Sequence, residues 1–205
     1  MPLRLHAVVP LEDQDDDNRA DGTSLVPFRD LGAITTEAHQ FLLGEADAAQ
    51  IAAHRAIVDA AFHHGAVLPT PVGVLFRSTD VLIRWMELHY VALSDGLNFV
   101  EDRMGVRLHI ERLDGKPDER ETGSDLAAAA AEAYRVLRRR AVAGVPLRTE
   151  KVTGLVLTAA LLVERDLWKE FMTTVQAQRD EHPKLKFEVT GPWAPYDFVR
   201  MQFGG

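Results

Sequence analysis

Apolar and polar residues alternate along several short stretches of the chain, which is the pattern of β-strands. The clearest case is residues 184–189, where the apolar side chains fall on one face and the charged side chains on the other. Residues 3–9 alternate less regularly, because Arg4 and His6 interrupt an apolar run, and they predict a half-buried strand. The almost continuously apolar segment 155–163 predicts a buried central strand. Further strands are predicted at 25–28, 33–36, 72–76 and 106–110.

Apolar residues at a spacing of three or four predict helices between these strands. The first helix covers 45–64 and carries one apolar stripe. Ser78 is a suitable N-cap for the second helix, which can extend as far as Glu101. Ser124 is the expected N-cap of the third helix, in which a run of alanines leads to three arginines. The fourth helix covers 166–179.

This order of elements, β-β-β-α-β-α followed by β-α-β-α-β, predicts an α+β protein. Strands that are joined by short hairpins and covered by helices suit two small sheet-and-helix domains of the ferredoxin-like type. The expected boundary lies near Met104. It gives an N-terminal domain at 1–103 and a C-terminal domain at 104–205 that includes a C-terminal tail. The sequence shows no internal repeat.

Composition narrows the classes of function. The net charge is −8, so the average surface repels the phosphate backbone of nucleic acids and anionic membrane surfaces. The sequence has no cysteine, which excludes disulfides and thiolate metal sites and suits a reducing cytoplasm. No uninterrupted apolar stretch reaches the roughly 18 residues of a membrane-spanning helix. We therefore expect a cytoplasmic protein that binds neither nucleic acid nor membranes.

Motifs for a metal or a cofactor are missing from the sequence. Asp13, Asp15 and Asp17 alternate as they do at the start of an EF-hand calcium loop. However, Asn18 stands where that loop needs glycine, and Ser24 stands where it needs glutamate. The sequence contains neither a glycine-rich phosphate-binding loop nor a Gly-x-Ser-x-Gly nucleophile motif. We expect no metal, no cofactor and no catalytic residue.

Histidine and arginine offer the remaining candidates. His54 lies within the apolar stripe of the first helix, where a buried histidine hydrogen-bonded to the backbone is the simple interpretation. A pocket that gathered His54, His89 and an acidic residue would instead indicate a small-molecule enzyme or sensor on a ferredoxin-like scaffold. At the end of the third helix, Arg138, Arg139 and Arg140 complement the helix dipole, and contact with a partner is their alternative role.

The C-terminal stretch 189–199, VTGPWAPYDFV, is richer in glycine, proline and aromatic residues than the end of a strand requires. Its glycine and prolines are expected to end the preceding strand, and its aromatic side chains are expected to pin the tail by burial. The stretch resembles the Gly-Pro-x-x-Pro-Tyr-x-Phe signature near the end of proteins of the GvpL/GvpF family. The matching residues are Gly191, Pro192, Pro195, Tyr196 and Phe198. Trp193, which occupies a variable position of this signature, is a candidate partner contact.

Two further segments resemble the same family. The helix around His54 leads into a Leu-Pro step at Pro69 and then into a Gly-x-x-Phe segment at Gly73 and Phe76. The apolar run 161–163, with the helix after it, is similar to the buried strand and following helix of the family. The three matches occur in the expected order and are spread over most of the chain.

This resemblance implies an accessory and minor structural protein of gas vesicles, which acts by binding and not by catalysis. Its implied partners are the hydrophobic shell subunit and other gas vesicle accessory proteins, which it contacts during nucleation and assembly. The implied location is the cytoplasm, at the gas vesicle. Whether the chain is of the L type or the F type stays open.

Overall fold

The fold is given by a computed structural model, which describes residues 1–13, 20–38, 46–113, 120–148, 154–199 and 201, with the backbone alone at 120–124. Within these residues the chain has four helices and two sheets, so the predicted α+β class is confirmed. Two of the three candidate calcium ligands, Asp15 and Asp17, lie outside the described residues. No helix in the described part of the chain is long and apolar enough to cross a membrane.

The chain divides into two compact units. Unit 1 combines Met1–Asp102 with Trp193–Gly205, and unit 2 is Arg103–Pro192. Unit 1 is built from five strands and two helices, in the order β1 (Leu3–Pro10), β2 (Ser24–Phe28), β3 (Leu31–Glu37), α1 (Ala48–His64), β4 (Leu68–Pro69), β5 (Leu75–Phe76) and α2 (Thr79–Val100). Its sheet has the order β2-β3-β1-β4, and β5 also pairs with β1, which is therefore the central strand.

Helix α2 covers one face of the sheet of unit 1. The hydroxyl of Ser78 accepts a hydrogen bond from the Val81 amide at 3.4 Å, which confirms Ser78 as the N-cap. Complete burial of each large apolar side chain contributes roughly 1.5–3 kcal/mol, so this helix face is a main source of stability. We call the cluster that it forms with the sheet the α2 core: Leu3, Leu5, Val8, Val26, Leu31, Ala33, Leu68, Phe76, Leu82, Trp85, Met86, Leu93, Leu97 and Val100.

Helix α1 covers the opposite face of the same sheet. The side chain of Asp47 accepts a hydrogen bond from the Gln50 amide at 2.7 Å, so the helix begins at Ala48 and not at residue 45 as predicted. The four residues that α1 buries take no part in the α2 core: His54, Val58, Ala61 and Phe62.

Strand β1 is buried on both faces, and the prediction of a half-buried strand is wrong. Every residue from Leu5 to Val9 is buried, including His6. The reason lies in the tertiary structure, because β1 has neighbouring strands along both edges and a helix on each face. The unbroken apolar run at 7–9 is the sequence signal of this burial.

Unit 2 has the β-α-β-β-α-β order of a ferredoxin-like fold. Its elements are β6 (Arg103–Arg112), α3 (Arg120–Arg138), β7 (Ala143–Pro146), β8 (Leu155–Glu164), α4 (Trp168–Glu181) and β9 (Leu185–Trp193). The sheet order is β7-β8-β6-β9, and β8 runs antiparallel to both of its neighbours. β8 is buried from Thr158 to Val163, which confirms the predicted central strand.

Two elements of unit 2 differ from the sequence-based expectation. The pattern does not predict β7, a short strand that contains glycine and proline. It forms because it lies at the edge of the sheet, where proline is tolerated, and pairs there with β8. Helix α3 begins at Arg120, so Ser124 lies inside the helix and is not its N-cap.

The end of β9 also departs from the prediction, because Gly191 and Pro192 do not end the strand but lie within it. β9 is an edge strand, in which a proline N–H is not needed by the ladder. Gly191 has a φ of 137°, a conformation that glycine adopts freely and other residues rarely adopt.

The sequence-based boundary places the tail in the C-terminal domain. In the structure, the tail after β9 instead groups with unit 1. Val199 and Met201 pack against the α2 core. Tyr196 lies near His54 of α1. Apolar side chains of the tail thus extend the hydrophobic core of unit 1.

Candidate functional site

A pair of buried histidines lies between β1 and α1. His6 and His54 are each 2% exposed. Their Nδ1 atoms are 3.0 Å apart, and their ring centroids are 5.1 Å apart at an interplanar angle of 39°. Nε2 of His6 lies 2.9 Å from the hydroxyl oxygen of Thr36 on β3. We call His6, His54, Thr36 and Tyr196 the histidine site.

A β-bulge in β1 places His6 at this site. The register between β1 and β3 shifts by one residue between Leu5 and Ala7, so His6 is the extra residue. A bulged residue stands outside the regular ladder and re-aims its side chain. The bulge therefore presents His6 to α1, while Leu5 on its other side packs in the α2 core.

Thr70 supplies hydrogen bonds to the backbone at the bulge. It is fully buried, and its amide donates to the His6 carbonyl at 3.0 Å. Its hydroxyl lies 2.8 Å from the Leu5 carbonyl oxygen and 3.0 Å from that of His6. Buried carbonyl groups need such donors, so Thr70 holds the bulged conformation in place.

Both histidines of the site are neutral at neutral pH. Burial, followed by the charges of His54 and Arg4, lowers the pKa of His6 to about 4. Burial also lowers the pKa of His54, although the Thr70 backbone acts in the opposite direction. One Nδ1 must therefore donate the hydrogen bond and the other accept it, because protonation of both rings would bring two donors face to face.

Tyr196 brings the tail into the site. Its ring centroid lies 6.4 Å from that of His54, and the side chain is half-buried. Burial, with a smaller effect of the Asp59 carboxylate, raises the pKa of the Tyr196 phenol to about 12. The phenol is therefore neutral, and the residue acts as a packing group between the tail and α1.

The chemistry of the histidine site suits structure better than catalysis. A general acid or base works best with a pKa near the operating pH, and that of His6 is far lower. Nε2 of His54 is buried and makes no hydrogen bond of ordinary geometry in the described part of the chain. Among the described residues, no group of three or more histidine, cysteine, aspartate or glutamate side chains could hold a metal ion. That the protein has no cofactor stays a prediction.

The motif residues that precede α2 support β1. Pro69 on β4 pairs with Ala7, and Phe76 on β5 pairs with the start of β1. Gly73 between them has a φ of 90°, which explains why glycine stands at this turn. The Phe76 ring also lies 5.5 Å from the Trp85 ring, between centroids, in the α2 core.

The remaining residues of the tail signature have different environments. Pro195 is buried, and Phe198 is half-buried in a short 3-10 helix, Tyr196–Phe198. Trp193, at the end of β9, is 41% exposed. Burial thus concentrates after Trp193, whose role as a partner contact stays a prediction.

The three consecutive arginines at the end of α3 have different environments. Arg138 is half-buried, and its guanidinium donates to the Ala141 carbonyl at 3.3 Å. Arg139 and Arg140 are exposed beyond the end of the helix and line a cavity of about 240 Å³ with Glu164. Arg138 therefore bonds the backbone near the helix end, and a partner contact through the other two stays a prediction.

Sequence reasoning identified one half of the histidine pair. His54 is buried as predicted, and its ring interacts both with the Thr70 backbone and with the His6 side chain, which the sequence did not predict as its partner. His89 is not part of the site, because its Nδ1 lies 2.9 Å from the Trp85 carbonyl oxygen on α2. The sequence-based prediction missed His6 because Arg4 beside it makes the strand look half-exposed. The apolar run after His6 was the available signal.

Two solved structures share this fold over nearly their whole length. The gas vesicle protein GvpF from Anabaena sp. PCC7120 has a TM-score of 0.80 at 14% identity, covering 100% of this chain and 98% of that one. GvpF from Microcystis aeruginosa has a TM-score of 0.75 at 15% identity, covering 98% of this chain and 99% of that one. The fold is thus that of a class of two-unit α+β proteins that includes gas vesicle proteins.

Sequence comparison identifies the family within this class. The family of gas vesicle synthesis proteins GvpL/GvpF matches residues 5–117 and 115–200. Gas vesicle protein F2 of Halobacterium salinarum is 25% identical over 185 residues, which are 87% of this chain and 81% of that protein. The chain belongs to the GvpL/GvpF family, and its function lies in gas vesicle formation. The family indicated by the tail signature is confirmed.

Proposed function

We propose that the protein is a non-enzymatic accessory and minor structural protein that binds the shell subunit and other gas vesicle proteins during nucleation and assembly. Its place of action is the cytoplasm, at the growing vesicle. Family membership over almost the whole chain supports the role in gas vesicle formation. The surface of unit 1 supports the binding role.

A row of exposed apolar side chains on α2 is the observation that carries this proposal. Leu88 is 81% exposed and Val91 is 69% exposed, while Val81 and Phe99 are 43% and 39% exposed. At 100° per residue, the four positions fall within about 80° of one another around the helix. Large apolar side chains grouped on a surface mark sites of protein contact. We call these four residues the α2 row.

Binding through the α2 row needs no covalent chemistry. A hydrophobic shell subunit must be kept from aggregating before it polymerises, and a folded partner can cover its apolar surface. Each Å² of apolar surface removed from water contributes about 25 cal/mol, so a small patch is enough for a reversible contact. Reversibility suits an assembly factor, because the subunit must leave it to enter the shell.

Co-purification tests the proposal. The tagged chain is expressed with the other genes of its gas vesicle cluster, as wild type, as Leu88→Ser with Val91→Ser, and as a control with Ile51→Ser and Leu113→Ser. The control positions are also exposed but lie outside α2. We expect the shell subunit to accompany the wild type and the control and to be lost from the α2 variant. If the tagged wild type brings down no more shell subunit than a sample without a tag does, the proposal is wrong.

The alternative, a small-molecule enzyme or sensor, depends on a pocket shared by His54 and His89. These residues lie on the two helices that cover opposite faces of the unit 1 sheet. His54 is engaged with His6, and His89 bonds its own helix. The geometry therefore favours the assembly protein.

A further inference from the structure

A groove lies on unit 1 between α2, the end of β1 and the turn that joins β2 to β3. Its volume is about 700 Å³. Leu11, Leu31 and Leu97 are among the residues that line it, and the last two are buried, so the floor is apolar. Val91 of the α2 row lies at its margin. We call this feature the α2 groove.

The rim of the α2 groove is acidic. Glu12, Asp30, Asp95 and Glu101 line it and are exposed, and no lysine or arginine occurs among its described lining residues. A concave surface lined by one sign of charge concentrates the potential and attracts the opposite sign. The groove therefore favours a cationic occupant.

One wall of the groove is held in position before any partner binds. The Tyr90 hydroxyl donates to the Asp30 carboxylate at 2.7 Å, and the Leu11 amide donates to the Asp30 carbonyl at 2.8 Å. The Arg29 guanidinium also stacks on the Tyr90 ring, 4.5 Å from its centre. A preformed wall lowers the entropy cost of binding.

Ser94 adds a polar atom without a partner to the lining. Its Oγ is buried and has no hydrogen-bond partner among the described residues. Buried polar atoms nearly always have a partner, so rotation of the Ser94 hydroxyl toward the groove would give this oxygen a hydrogen bond from a ligand. An ammonium, a guanidinium or a backbone amide can supply the donor.

The shape of the site favours a protein segment over a metal ion or a small cation. The rim carboxylates do not converge, since no three acidic or histidine side chains in the described part of the chain could hold one metal ion. Val91 belongs both to the groove lining and to the α2 row, so exposed apolar side chains also lie next to the groove on α2. A small ligand would leave that surface exposed to water, whereas a protein segment can cover both parts.

We propose that the α2 groove docks a segment of a gas vesicle protein in which lysine or arginine flanks an apolar side chain. The apolar side chain packs on the leucine floor, and the flanking cations pair with rim carboxylates such as Asp95 and Glu101. Acidic segments are rejected, because the rim would place like charges together. This inference rests on the proposed function, since it takes the partner from the proteins with which the chain assembles.

Peptide binding to the full-length protein tests the inference. Labelled peptides of about 20 residues that tile the shell subunit and the other proteins of the gene cluster are titrated by fluorescence anisotropy. The protein is used as wild type, as Asp95→Lys with Glu101→Lys, and as Asp95→Asn with Glu101→Gln. A matched control, Asp125→Lys with Asp180→Lys, makes the same change in net charge at exposed positions of unit 2. Melting temperatures confirm that all four proteins fold.

We expect the peptides that bind the wild type to be basic and apolar. Charge reversal in the groove should weaken their binding by about tenfold or more, neutralisation by a smaller factor, and the control by less than about twofold. Equal binding by the wild type and the charge-reversed variant would show that the groove is not the docking site. The proposed function would still stand in that case if the shell subunit co-purifies with the wild type. If no peptide binds and no vesicle protein co-purifies with the wild type, both the groove inference and the proposed function are wrong.

Discussion

Nδ1 of His6 and Nδ1 of His54 lie 3.0 Å apart in the interior of unit 1, although 48 residues separate them in the chain. This hydrogen bond joins the central strand β1 to the helix that covers it. At least one ring must be neutral for this bond, because one nitrogen must accept, and burial disfavours the charged form of either ring. The pair therefore makes the stability of unit 1 depend on pH.

Stability should fall as the pH drops from 6.5 toward 4. The pKa of His6 is lowered from 6.5 to about 4 by folding, so the unfolded chain binds more protons within this window. The stabilisation is complete above pH 6.5 and is lost progressively down to the folded-state value. The expected loss in the free energy of unfolding is on the order of 2–3 kcal/mol. Urea denaturation at a series of pH values measures it.

Two variants separate this effect from the titration of carboxylates. His6→Gln removes the titrating ring, so its stability should change less with pH in the same window. His64→Gln removes an exposed histidine at the end of α1 and should keep the wild-type slope. Equal slopes for the wild type and His6→Gln would show that the pair does not cause the dependence.

Tyr196→Ala should destabilise unit 1 by about 1–3 kcal/mol, because it removes a half-buried ring beside His54. Tyr196→Phe keeps the ring and should retain most of the stability. Melting temperature and shell-subunit co-purification are measured on the same samples. If the tail only packs, as we expect, stability and binding fall together. Lost binding at an unchanged melting temperature would instead identify the tail as a contact surface.

Gly73→Ala should cost about 1–2 kcal/mol, although the space around Gly73 is open. The cost comes from the φ of 90°, which alanine adopts only with strain. Gly73→Asn should cost less, because asparagine tolerates positive φ better than other residues with a side chain. Chemical denaturation ranks the three proteins, and equal stability of Ala and Asn variants would contradict the backbone explanation.

A matched pair on α2 separates its buried face from its exposed face. Leu82 is fully buried in the α2 core, whereas Leu88 is 81% exposed. Leu82→Ala should lower the free energy of unfolding by about 2–5 kcal/mol, because it leaves a cavity. Leu88→Ala should change it by less than about 0.5 kcal/mol. A large loss of stability from Leu88→Ala would mean that its side chain packs in the folded monomer and is unavailable to a partner.

Local patterns determined most of the secondary structure. The helical spacing and the capping by Ser78 predicted α2, and the apolar run at 155–163 predicted the central strand of unit 2. Such patterns are reliable because each residue reports its own exposure through its position on a helix or strand. Local patterns did not predict β7, because its strand conformation does not arise from its own sequence pattern. Its glycine and proline carry no strand pattern, and only its neighbour β8 makes it a strand.

The sequence by itself determined the α+β class, most of the helices and strands, and the signature that indicates the family. The tertiary structure alone decided that β1 is buried on both faces, that His6 meets His54, and that the tail returns to unit 1. These contacts join residues far apart in the chain, and which distant surfaces pack together is set by the burial of all apolar faces at once. A local pattern shows that a side chain needs a partner, and only packing selects which partner it meets.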